Sequence, residues 1–180
     1  MGWGPLEPEL EPGASSGFTR VDAPLDALDL LAVASRAAAC IACEQDAALR
    51  RAARALETAT RNRGCVWVVG DAGNEHARQL NAAGHTALAT TDLTRLPARA
   101  IAGDVLLVSV SGELPAPLLA EAARRRLEPI VLGGPASIAA DGLVIRVPCY
   151  DGRALSLTHG FIVMALCAEA RCASRAESAA

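Results

Sequence analysis

Ser109 and Ser111 flank a valine at the end of the apolar run Val105-Leu106-Leu107-Val108, and Gly112 and Glu113 follow. Two hydroxyls and a glycine at the tip of a buried strand, just before a helix, gather hydroxyl and N–H donors around one point. That arrangement suits a phosphate or another small anion. The plainer alternative is a serine that caps the helix and satisfies its own backbone. It accounts for one serine and leaves the second unexplained. Glu113 opposes a bound phosphate by like charge unless it faces a sugar hydroxyl. A second polar turn, Gly70-Asp71-Ala72-Gly73-Asn74, ends the run Cys65–Val69. It departs from the dinucleotide pattern G-x-G-x-x-G. Ala72 stands where backbone must approach a pyrophosphate, and Glu75 takes the third glycine's place. Asp92 lies at a suitable spacing for a ribose contact, but one acid recurs by chance. A tight strand-to-helix turn capped by Asp71 or Asn74 is the plainer reading.

Other reactive side chains are sparse. The histidines are His76, His85 and His159, each isolated, and no H-x-x-x-H or carboxylate cluster points to a metal. No cofactor is expected. Cys40 and Cys43 form a C-x-x-C inside an Ala-rich helical stretch, not at a helix opening after a strand, so they read as small core residues. All 17 basic residues are Arg, which excludes a Schiff-base lysine and a phosphate-loop lysine. The net charge of −3 gives no general attraction to nucleic acid, and Arg124-Arg125-Arg126 reads as a solvated helix face.

These residues need a scaffold. The chain has 180 residues, 52% of them apolar, enough for one domain with an aliphatic core. No run reaches the roughly 18–20 uncharged apolar residues of a membrane span, and the start lacks a secretion signal. A soluble, cytoplasmic protein is expected. Residues 1–22, rich in Pro, Gly, Ser and Glu, read as a flexible tail, and residues 23–180 as a single domain. Helical periodicity runs from Ala23 to Arg63, with Leu25, Leu28, Leu31 and Ala32 as the first apolar stripe and Leu49, Ala53 and Leu56 as the second. Strands are expected at Cys65–Val69, His85–Ala89, Asp104–Ser109, Pro129–Leu132 and Leu143–Val147. Helices follow the first strand to Ala83, span Leu114–Arg126, and close the chain from Gly152 to Ala173. Strands alternating with helices, each a near-continuous apolar run, imply a parallel sheet covered on both faces. Ligands then sit beyond the C-terminal strand ends.

Three blocks together resemble the sugar isomerase (SIS) family, and within it the phosphoheptose isomerase group. Val68–Asn74 is similar to its strand followed by G-N-G-G-S. Gly103–Glu113 is similar to G-D-V-L-I-x-x-S-T-S-G-N, the most specific of the three. Ile145-Arg146-Val147-Pro148 with Arg153–His159 and the apolar helix to Cys167 is similar to its closing segment. The resemblance implies a three-layer α/β/α sandwich with a five-stranded parallel sheet and extra N-terminal helices, assembled as a homodimer or homotetramer. It implies a sugar phosphate ligand. Ser109, Ser111 and Gly112 would hold phosphate, with Asp71, Gly73 and Asn74 reaching in from the other turn and Glu113 beside them.

The departures bear on activity. The family's His and Glu on the helix after G-N-G-G-S align with Asn81 and His85. Its Gln and His on the last helix align with Ser156 and Met164, and Leu114 replaces a serine. Aldose–ketose isomerisation needs a base near neutral pH and a shuttle for hydroxyl protons, which methionine and serine do not supply. The sequence therefore favours a phosphosugar-binding protein without the standard isomerase machinery. One alternative is an active isomerase using His85, Glu75 or His159. Another is an oligomeric scaffold or regulator with a vestigial pocket.

Overall fold

A computed structural model describes residues 26–135, 137 and 143–178, with side chains to residue 172; the expected tail lies outside the described residues. Two helices come first, α1 (Ala27–Glu44) and α2 (Asp46–Arg61). Then β1 (Val66–Gly70), α3 (Gly73–Ala82), β2 (Ala87–Thr90), β3 (Val105–Ser109), α4 (Ala116–Arg125), β4 (Glu128–Gly133), β5 (Leu143–Arg146) and α5 (Gly152–Ser178) follow. The five strands form one parallel sheet in the order β2-β1-β3-β4-β5. The fold class is thus as expected, with boundaries displaced by a residue or two where strands give way to turns.

The strands are apolar without alternation because both faces are buried. Val66, Val68, Val105, Leu107, Ile130, Leu132 and Ile145 pack toward α2, α3 and α5, with α1 outside them. Trp67, Val69, Leu106, Val108 and Val131 face Leu118 and Ala122 of α4, together with Leu96, Ala100 and Leu127. Asp26 caps α1, its Oδ1 accepting from the amides of Leu28 (2.8 Å) and Asp29 (2.9 Å). The stripe expected on α1 is wrong: Leu28 and Leu31 are exposed, and Leu30, Val33, Ala34, Ala37 and Ile41 are buried. Leucine hydrophobicity misled here, because the face that α1 buries includes the alanines Ala34 and Ala37. By length and composition Gly152–Cys172 would span a membrane, but this stretch of α5 packs against α1, α2 and α3 as a core helix.

Candidate functional site

Strand order reverses between β1 and β3, so the chain leaves their tips in opposite directions and opens a crevice. Both polar turns lie there. Gly70 pairs with Ser109 across the ladder, and the Asp71 amide donates to the Ser109 carbonyl at 3.1 Å. Ser111 donates to the Asp71 carboxylate twice, from its hydroxyl at 2.6 Å and its amide at 3.2 Å. The two strand tips therefore converge, as the sequence implied.

Their hydroxyls are used differently from the expectation. Ser109 is buried, and its hydroxyl faces His159 Nδ1 at 2.9 Å, away from solvent. Both Ser111 donors are engaged by Asp71. The donors left at this tip are the amides of Gly112, Glu113 and Leu114, which have no protein partner among the described residues. They precede α4, whose N-terminus has no side-chain cap. The start of α5 differs, because Asp151 Oδ1 already accepts from the amides of Arg153 (3.0 Å) and Ala154 (2.9 Å). An anion entering here thus meets unspent donors on the α4 side.

These groups open on a cavity of about 560 Å³. Ser111, Gly112, Glu113, Leu114 and Ala116 form one wall, and Gly134, Pro135, Ser137, Cys149, Tyr150, Gly152 and Leu155 the other. Glu113 and Leu114 line the hollow without filling it. Burial pushes the Cys149 thiol up, so it stays protonated and unreactive at neutral pH. Among the described residues, Glu113 is then the one carboxylate lining the cavity, with Asp71 just behind Ser111.

The remaining site candidates do not converge on this cavity. Gly73 is buried at the start of α3, and Asn74 beside it is exposed; neither lines the hollow. Glu75 points outward in an ion pair with Arg78 at 2.8 Å. His159 lies beneath the β3 tip. His85 precedes β2 and hydrogen-bonds Thr60 Oγ1 at 2.6 Å. It sits at the N-terminal edge of the sheet, about 15 Å of strand from the crevice. Asn81 clamps the same edge, its amide bonding the Ala87 carbonyl (2.8 Å) and amide (3.0 Å).

His159 has a thermodynamic consequence. Burial, then nearby His76, drive its imidazole down to about 4, with Asp71 pulling weakly the other way. The unfolded chain binds a proton near pH 6.5 and the folded chain does not until about 4. Stability is therefore full above about pH 6.5 and falls as pH drops toward 4, by about 3 kcal/mol from this group. Burial lowers His76 and His85 as well, with the same sign. Urea unfolding at pH 7 and 4.5 should show a smaller pH loss in His159→Gln than in the native chain; equal losses would refute this assignment.

Sequence reasoning missed the far wall of the cavity. Its signal was present in Gly133-Gly134-Pro135, a strand end of the kind that binds ligands. Tyr150 and Ser137 carried no local pattern.

No family model and no curated protein sequence matches the chain. Solved structures do. Phosphoheptose isomerase GmhA from Neisseria gonorrhoeae superposes with a TM-score of 0.64 at 20% identity, covering 76% of this chain and 93% of that one. A phosphoheptose isomerase from Francisella tularensis does so with a TM-score of 0.66 at 21% identity, covering 82% and 99%. The fold is the one these isomerases have.

Proposed function

We propose that this chain binds a phosphosugar in the cavity beyond the tips of β3 and β4, against the start of α5, and does not isomerise it. The observation that carries this reading is the row of unspent amides, Gly112 to Leu114, at the uncapped start of α4 and facing the cavity. Phosphate takes those donors, and helix polarity favours its charge. Glu113, in the cavity wall, accepts hydrogen bonds from the sugar's hydroxyls, so its charge faces the sugar and not the phosphate. The likeness to phosphoheptose isomerase structures supports the ligand class. Absence of turnover is supported by the scatter of Glu75, His85 and His159, which leaves none of these three beside Glu113 to move hydroxyl protons.

The test is thermal denaturation with sedoheptulose 7-phosphate and fructose 6-phosphate, followed by NMR of the same mixtures. A ligand at a hundred times its dissociation constant stabilises by about 2.7 kcal/mol. Stabilisation by the phosphosugar, with none by the free sugar and no new sugar isomer in hours, is expected. No stabilisation by either sugar phosphate favours a scaffold, and a new isomer that disappears in Glu113→Gln favours an enzyme.

We also propose that copies associate through α1 in the cytoplasm. Leu28 and Leu31, 76% and 49% exposed, support this. A monomeric mass by light scattering at micromolar concentration would refute it.

A further inference from the structure

Two further hollows lie away from that cavity, beside the N-terminal end of β2 and the α3–α5 seam. One, of about 240 Å³, is lined by Thr60, Arg61, Gly84, His85 and Arg171 among others. The other, of about 310 Å³, is lined by Gln79, Met164, Cys167 and Arg171 among others. Both include Ala83 and Arg171, so they adjoin across the seam between α3 and α5.

Hydrogen bonding fixes the character of the first hollow. The Thr60 hydroxyl donates to the Leu56 carbonyl at 2.9 Å. Its oxygen must therefore accept from His85, which places the ring proton on Nδ1. His85 Nε2 is left with a lone pair that is buried and has no partner. His85 is only 7% exposed, and burial with Arg171 nearby keeps its ring neutral. Gln79, which lines the second hollow, likewise has an Oε1 that is buried without a partner. Buried acceptors of this kind call for an explanation. Between them stands Arg171, exposed and without an ion pair among the described residues. Gln79 and His85 are joined by the closing turn of α3, where the His85 amide donates back to the Leu80 carbonyl at 3.0 Å. Gly84, beside His85, has open space where a side chain would be.

We propose that these adjoining hollows bind a polyhydroxylated carboxylate, its carboxylate on Arg171 and its hydroxyls donating to His85 Nε2 and Gln79 Oε1. The guanidinium fork matches one carboxylate. Glu57 on the rim is paired with Arg61 at 2.5 Å, so Arg171 offers one charge, which matches the single charge of a sugar acid rather than the two of a sugar phosphate. The site is independent of the crevice at β3.

Gluconate is the probe, with hexanoate lacking hydroxyls and sorbitol lacking charge as controls. The readout is the ring-nitrogen NMR signal of His85, which reports this hollow and not the crevice. Gluconate should move the Nε2 signal saturably. Hexanoate, sorbitol, and gluconate with Arg171→Gln should each bind at least about tenfold more weakly, as loss of charge-assisted bonds implies. Arg171 is exposed, so its replacement spares the core. An Nε2 signal unmoved by gluconate, or moved equally by hexanoate or in Arg171→Gln, overturns the proposal.

Discussion

Gly70→Ala should destabilise the chain by more than about 3 kcal/mol, measured by urea unfolding. Gly70 has φ +124°, a backbone conformation that L side chains rarely adopt. A Cβ there would overlap the Ser109 carbonyl oxygen and its carbon. Those are backbone atoms inside the central ladder and cannot rotate aside. Relief requires β1 and β3 to separate at their tips, which breaks the Asp71 amide bond to Ser109 and pulls Asp71 from Ser111. Overpacking and backbone strain each cost on the order of 1–3 kcal/mol. Crevice binding should vanish with the same variant even at low temperature, where it stays folded. A loss below about 1 kcal/mol would mean the two tips do not touch.

Asp104→Ala should cost about 3–5 kcal/mol. Asp104 is 3% exposed, and its carboxylate collects three donors: the Cys65 amide and Trp67 Nε1 at 2.8 Å, and the Ile101 amide at 3.1 Å. It thus ties the start of β1, the face of the sheet under Arg99, and the turn before β3. Alanine leaves three donors without their acceptor, two of them backbone, at roughly 1–3 kcal/mol each less what water recovers. Asp104→Asn keeps one oxygen acceptor and should lose less. Urea unfolding followed by fluorescence, with Trp67 reporting the site, decides it. Equal stability of Asp104→Ala and the native chain would show that these bonds contribute nothing net.

Asp104 also shows what the sequence conceals. It belongs to the run that suggested a ligand site, yet its task is structural, because its partners are 37 and 39 residues away. Long-range pairing of this sort leaves no periodic trace. Sheet and helices were legible because buried parallel strands write themselves as apolar runs between Gly and Pro punctuation. The convergence of Gly70–Asn74 with Ser109–Glu113 was legible for the same reason, since both are C-terminal strand ends. The direction of a side chain was not. Nothing local distinguishes Ser109, turned inward to His159, from Ser111, turned toward Asp71. His85 looked available to the site because strand ends alone do not say which edge of the sheet a residue occupies. Once β2 is known to run parallel to β1, the residue before it must lie at the far edge. On α1, leucines outweighed alanines in the apolar pattern, although small residues are the ones that let helices approach closely.

The central claim is that the amides at the start of α4 hold the phosphate of a sugar. It is tested most directly by titrating the ¹⁵N-labelled chain with sedoheptulose 7-phosphate and following backbone amide shifts. Saturable movement of the Gly112, Glu113 and Leu114 amides, absent with the free sugar, is the predicted result. Movement confined to other residues, or none at millimolar ligand, would contradict it.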